Sequence, residues 1–153
     1  NTVVIVKGTG RSQGDVALAL AAYGGGSMLA ALALPRVLQH IADRTVMLTG
    51  ATILTVTLGG LAGLVLDWSH LLAGWLVMGI GYSLCVTPGG RLLRRSSSEA
   101  DRPALFAAQF ALSHVCWLMA YPIAGQVGAR FGMATALLAL AGLGAAGLVL
   151  ALW

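Results

Sequence analysis

Charge is missing from five long stretches of this chain. No Asp, Glu, Lys or Arg occurs in 16–35, 45–66, 68–90, 103–129 or 131–153. A barrel strand would alternate polar and apolar residues over segments of about 10 residues; these stretches do not alternate. About 20 apolar residues at 1.5 Å rise cross a hydrocarbon core about 30 Å thick. The pattern therefore predicts five spanning helices, at 16–38, 46–66, 70–90, 104–127 and 132–152. Residues 1–6 (NTVVIV) read as the last turns of another spanning helix, so the chain reads as a piece of a longer protein cut inside a helix. The expected fold class is all-α: a polytopic transmembrane helix bundle of five full spans and a helix stub.

Polar residues gather between these stretches. The first connection is Lys7 to Asp15, with Asp15 expected as the N-cap of the first full helix. The second is 35–44 and the third a short link at Asp67 to His70. The fourth is the long basic run 91–103, in which Pro103 suits the first turn of the next helix. The fifth is 125–132. Alternate connections lie on one side of a membrane. The second and fourth hold Arg36, Arg44, Arg91, Arg94, Arg95 and Arg102; the others hold only Lys7, Arg11 and Arg130. The richer side is expected to be cytoplasmic, which puts the C-terminus in the cytoplasm.

Composition agrees with the pattern. Of 153 residues 58% are apolar and 9% charged, against about 25% charged in an average soluble domain. That excludes a soluble globular domain and a disordered chain. The net charge of +4 is spread between the windows, so it does not form a nucleic-acid-binding face. Cys85 and Cys116 both fall inside spanning windows, which argues against a structural disulfide. The glycines, among them Gly24–Gly26, Gly59 and Gly63, are expected to let helix backbones approach closely. No Lys-Ser/Thr pair follows Gly24–Gly26, so they do not make a phosphate loop.

A faint internal repeat runs through the connections. Residues 125–132 read Gly-x-x-x-Ala-Arg-x-Gly, and 35–42 read Pro-x-x-x-Gln-His-x-Ala, three helices earlier. Repeats three helices apart face opposite sides of the membrane, as in the inverted repeats of secondary transporters. On this layout the sequence resembles the major facilitator superfamily, over its whole length. That family carries a Gly-x-x-x-Asp-Arg/Lys-x-Gly-x-Arg/Lys signature between the second and third helices of each six-helix half. Here Pro35 stands for the first Gly, Gln39 for the Asp, His40 for the basic residue and Ala42 for the second Gly, with Arg44 near the basic end. The Asp role cannot be carried over to neutral Gln39. The resemblance implies part of a C-terminal half, from the end of the seventh helix to the twelfth. It further implies a proton-coupled efflux permease of the bacterial inner membrane, working by alternating access with an N-terminal half of the same chain as partner. The substrate would be a small molecule, with no cofactor beyond a proton gradient.

Candidate chemistry is concentrated in the fourth window. His114 lies near its middle, where an ionisable ring is costly and faces a bundle interior or a wet cavity. Phe110, Trp117 and Tyr121 share its face at helical spacing, and Gln109, Ser113 and Cys116 form a polar stripe beside it. This face is expected to line a pathway for an aromatic or cationic small molecule. The bland alternative is a histidine that binds a neighbouring helix among packed aromatics. Tyr82 is a second pathway candidate, since the resemblance puts its helix on the central cavity, and Pro88 is expected to bend that helix. Arg36, Asp43 and Arg44 are candidates for a cytoplasmic ion-pair gate.

Other classes fit less well. Ser27 with His114 as an intramembrane hydrolase lacks an oxyanion donor. His114 and Cys116 point apart on a helix, so metal efflux is not favoured and no metal site is expected. A channel subunit or membrane scaffold stays as the alternative reading, although no ring of charge marks a pore.

Overall fold

The structure is a computed structural model and describes residues 2–63 and 67–153. Among these residues there are six helices and no strands. They are α1 (Thr2–Gly8), α2 (Gln13–His40), α3 (Asp43–Gly63), α4 (Trp68–Ser96), α5 (Arg102–Phe131) and α6 (Met133–Leu152). The last five are each long and apolar enough to cross a membrane. The last three positions of the span expected at 46–66 lie outside the described residues.

The helices are longer than the apolar runs that announce them. The connection expected at 35–44 shrinks to Ile41 and Ala42, because α2 runs through Pro35 to His40. A proline removes one N–H from the ladder, and spanning helices tolerate that loss where neighbours re-satisfy the backbone. The connection expected at 91–103 shrinks to 97–101, because α4 carries Arg91, Arg94 and Arg95 on its final turns. Arginine is a good helix former and is favoured at the C-terminal, negative end of the helix dipole. Charge therefore marks where α4 leaves the apolar zone, not where it stops. At the fifth connection α5 continues to Phe131, and Gly132 alone separates it from α6, with φ of 88°.

The caps follow local chemistry. Ser12, not Asp15, is the N-cap of α2. Its hydroxyl accepts from the Asp15 N–H at 3.3 Å, and Asp15 Oδ2 accepts from the Ser12 N–H at 3.0 Å. This reciprocal pair satisfies two otherwise orphan donors. Asp67 caps α4 through the His70 N–H, at 2.8 Å. Pro103 sits in the first turn of α5 as expected.

Lateral packing runs α2, α4, α3, α6, α5. In this order α4 lies between α2 and α3, and α6 joins α3 to α5. Two of these seams are made by glycine. A Cβ added to Gly26 would collide with the Leu76 backbone, and one on Gly79 with the Tyr23 carbonyl, so α2 and α4 touch backbone to backbone. On the other side of α4, Gly50 and Gly81 bring α3 close: a Cβ on Gly50 would lie 2.7 Å from the Gly81 oxygen. Lipid supplies no hydrophobic drive between spanning helices, so such close approach replaces it with dispersion contact. A buried cluster of Val6, Val16, Ala19, Leu71, Trp75 and Leu137 holds α1 against the bundle. At that end the Arg11 guanidinium stacks 4.6 Å over the Trp68 ring and ties the first connection to the start of α4.

The segments 35–42 and 125–132 fall at opposite ends of the bundle. The end carrying Asp43, Arg44, Arg91, Arg94, Arg95 and Arg102 is called the basic end below.

Candidate functional site

The aromatic face expected on the fourth window exists as a ladder along α5. Phe110 and His114 stack with centroids 3.9 Å apart, His114 and Trp117 at 5.3 Å, and Trp117 and Tyr121 at 6.1 Å. Helical spacing produces it, since residues three and four apart stand one above the other. His114 Nδ1 lies 2.8 Å from the Phe110 carbonyl. A carbonyl only accepts, so Nδ1 carries a proton, and in the neutral ring Nε2 is left as an acceptor. The Ser113 hydroxyl donates to the same carbonyl at 2.8 Å. These bonds stay within α5, so His114 is not tied to a neighbouring helix by them. The ring is exposed, and no residue of α5 is buried.

The polar stripe turns away from this ladder. Gln109, Ser113 and Cys116 line a shallow pocket with Leu93 of α4, whereas His114, Trp117 and Tyr121 line a separate groove. One helix thus presents two surfaces, and the six candidates do not converge on one point. His114 and Cys116 fall on different surfaces, and no cluster of three or more metal-ligating side chains occurs among the described residues.

Tyr121 connects the ladder to the interior. With Tyr23, Trp75, Met78, Leu137 and Leu140 it lines a cavity of about 360 Å³ at the end of the bundle that holds α1. The cavity wall is mostly apolar, with hydroxyl and indole N–H groups as its polar points. The indole of Trp75 donates to the Thr2 hydroxyl at 3.1 Å. Tyr82 stands beside it, its ring 5.9 Å from that of Tyr23. Tyr23 and Trp75 were not singled out by the sequence pattern. The signal was there: Trp75 and Tyr82 are seven residues apart and so share a face of α4. Deeper in α4, the Ser83 and Thr87 hydroxyls lie 3.4 Å apart on either side of the turn before fully buried Pro88.

The ion pairs at the basic end are not those expected. Arg36, Asp43 and Arg44 do not form a mutual latch. Asp43, 8% exposed, is instead held by Arg91 Nε at 3.5 Å and Arg95 Nη1 at 3.4 Å. Consecutive residues on a helix do not face each other, which separates Arg44 from Asp43. Arg44 donates to the Ala151 carbonyl at 2.7 Å, satisfying a backbone group in the last turn of α6. Arg36 is exposed on α2. Arg91 also reaches the Leu38 carbonyl at 3.4 Å, so it bridges α4 to both α2 and α3. Charge spacing alone makes the basic run a loop, which hides this role.

The arrangement holds five long apolar helices, an aromatic face on α5 and an ion-paired end, and comparison with known proteins agrees with it. The family profile described as Major Facilitator Superfamily matches residues 2–153. No curated protein and no solved structure matches the chain. Members of that family are membrane transporters, not enzymes. The chain belongs to the Major Facilitator Superfamily of integral membrane permeases.

Proposed function

We propose that the chain is part of the C-terminal half of a proton-coupled exporter in a bacterial inner membrane, with the basic end in the cytoplasm. Its substrate is a small aromatic or cationic molecule. The observation that carries this reading is that Tyr121 belongs both to the exposed ladder on α5 and to the 360 Å³ cavity. A flat or cationic molecule can exchange one ring face for the next along such a track. An N-terminal half of the same chain would supply the opposite wall, and alternating access would rock the two halves about the midplane. No Asp or Glu lies in the five charge-free stretches, and His70 stands in the first turn of α4, so His114 is the imidazole this part offers to coupling away from a helix end. The Asp43–Arg91–Arg95 cluster would hold the cytoplasmic ends of α3 and α4 together in one state of the cycle.

The test is transport by the full-length protein in proteoliposomes under an imposed pH gradient. Tyr121→Ala is expected to raise KM for an aromatic cation by about two- to tenfold, the worth of one aromatic contact. His114→Gln is expected to flatten the pH dependence while uptake driven by substrate gradient alone persists. Unchanged KM and pH profile in both variants would remove the α5 face from the pathway.

A further inference from the structure

The imidazole of His114 is held in one orientation. Its ring meets those of Phe110 and Trp117, with centroids 3.9 Å and 5.3 Å away, and its Nδ1 donates to the Phe110 carbonyl at 2.8 Å. The proton on Nδ1 leaves Nε2 of the neutral ring as an acceptor. Among the described residues no donor meets that nitrogen. The main neighbour of α5 is α6, whose polar side chain is Thr135, and that hydroxyl already donates to the Phe131 carbonyl at 2.9 Å. The arginines of α4 flank Phe106, about two turns before His114. Along the ladder no other side chain duplicates the acceptor. Phe110 has no hydrogen-bonding atom, Trp117 only donates, and the Tyr121 hydroxyl does both. His114 stands well inside α5, where an acceptor without a donor is costly in lipid.

We infer that Nε2 of His114 reads a hydrogen-bond donor on the transported molecule. The substrate class is then an aromatic amine or alcohol that carries an N–H or O–H. The same molecule with that donor methylated is discriminated against. This rests on the pathway reading above and narrows its substrate. A site built to accept a hydrogen bond rejects an analogue that lacks the donor, because its own acceptor is left unpaired. The surrounding rings are indifferent to that change, since an ammonium over an aromatic face is attracted whether it carries hydrogens or methyl groups. The ladder therefore reads shape and charge, and one nitrogen reads the donor. The groove lined by His114, Trp117 and Tyr121 stays open and continues through Tyr121 into the 360 Å³ cavity, which makes the substrate the occupant that supplies the donor.

The experiment measures binding to full-length protein in a neutral detergent, by equilibrium dialysis, at about pH 8, where both probes are cations. The probes are dimethyl(naphthylmethyl)ammonium, which has one N–H, and trimethyl(naphthylmethyl)ammonium, which has none. The dimethyl probe is expected to bind about tenfold more tightly, the worth of one hydrogen bond from a charged donor. His114→Phe keeps a ring in the ladder and removes the acceptor, and is expected to bind both probes equally. His114→Gln, whose amide oxygen still accepts, is expected to keep the preference although it no longer titrates. Equal binding of the two probes by the unaltered protein overturns the inference and leaves the aromatic-cation pathway standing. That is also the result if another part of the chain supplies the donor to Nε2. A preference that persists in His114→Phe overturns it as well, because a different group then reads the N–H. Binding of neither probe overturns both the inference and the pathway reading.

Discussion

The carbonyl oxygen of Tyr23 in α2 rests directly against Gly79 of α4, leaving no room for a Cβ between them. Gly26 meets the Leu76 backbone in the same way a turn further on. Backbone atoms cannot swing aside as a side chain can, so a methyl group here must separate two whole helices. Gly79→Ala and Gly26→Ala are each expected to destabilise the protein by about 1–3 kcal/mol, the usual range for overpacking. Gly60→Ala adds its methyl to open space and is expected to stay within about 0.5 kcal/mol. Thermal unfolding of the full-length protein in detergent makes the comparison. Equal effects at Gly60 and Gly79 would contradict the tight crossing.

The cluster around Asp43 is asymmetric in exposure. Asp43 is 8% exposed, whereas the Arg91 and Arg95 side chains are 39% and 64% exposed. Removing the carboxylate leaves two arginines that water can still reach. Removing both arginines leaves a buried charge alone. Arg95→Gln is expected to cost under about 1 kcal/mol, as an exposed partner does. The Arg91→Gln/Arg95→Gln double variant is expected to cost about 3–5 kcal/mol, more than the two singles together. A double-mutant cycle on unfolding checks this, and simple additivity would argue that the pairs act independently.

Gly132 makes the whole turn between α5 and α6, at φ 88° and ψ 161°. Only glycine adopts that region readily. Gly132→Ala is expected to cost about 1–3 kcal/mol although its Cβ would meet no neighbour, because the penalty is in the backbone. A crystal or cryo-EM structure of the variant, together with its melting temperature, distinguishes strain from an easily relaxed turn.

At the start of α4 the prediction concerns pH. The His70 backbone N–H donates to Asp67 and, with the His70 ring 2.7 Å away, holds the Asp67 carboxyl below its ordinary value. A carboxyl lowered by folding adds stability above its unfolded pKa and loses it as pH falls through the folded one. The cap is therefore expected to be at full strength at neutral pH and to fade below about pH 4. Asp67→Asn keeps an acceptor for the N–H and is expected to remove the pH dependence of this cap without removing the helix start. Unfolding curves for both proteins at neutral and acid pH show whether their difference closes as the carboxyl protonates.

Much of the architecture could be read from charge spacing, because burying a charge in lipid is the largest penalty in the system. The five spans and the end each belongs to follow from that alone. Helix ends were less legible. Arg91, Arg94 and Arg95 look like a loop when charge is taken as a stop signal, yet arginine extends a helix as readily as leucine does. The ladder Phe110–His114–Trp117–Tyr121 was visible because it obeys one helix's own period. The cavity formed by Tyr23, Trp75 and Tyr121 was not, since it depends on how three helices are placed side by side. The partners of Asp43 were hidden for the same reason: they lie on another helix, about 50 positions away along the chain.

The position of α5 also bears on how the protein is made. Its main partner among the described helices is α6, and the two are joined by Gly132 alone. During synthesis α5 leaves the ribosome before that partner exists, while α2, α3 and α4 can already have met. A helix with no buried residue has little reason to settle against them early. The order of assembly that follows is a core of three helices first, then α5 and α6 arriving as a hairpin. A nascent chain halted within α6 should therefore hold α5 in the bilayer but not yet in place, the stage at which a membrane insertase or chaperone would have most to shield.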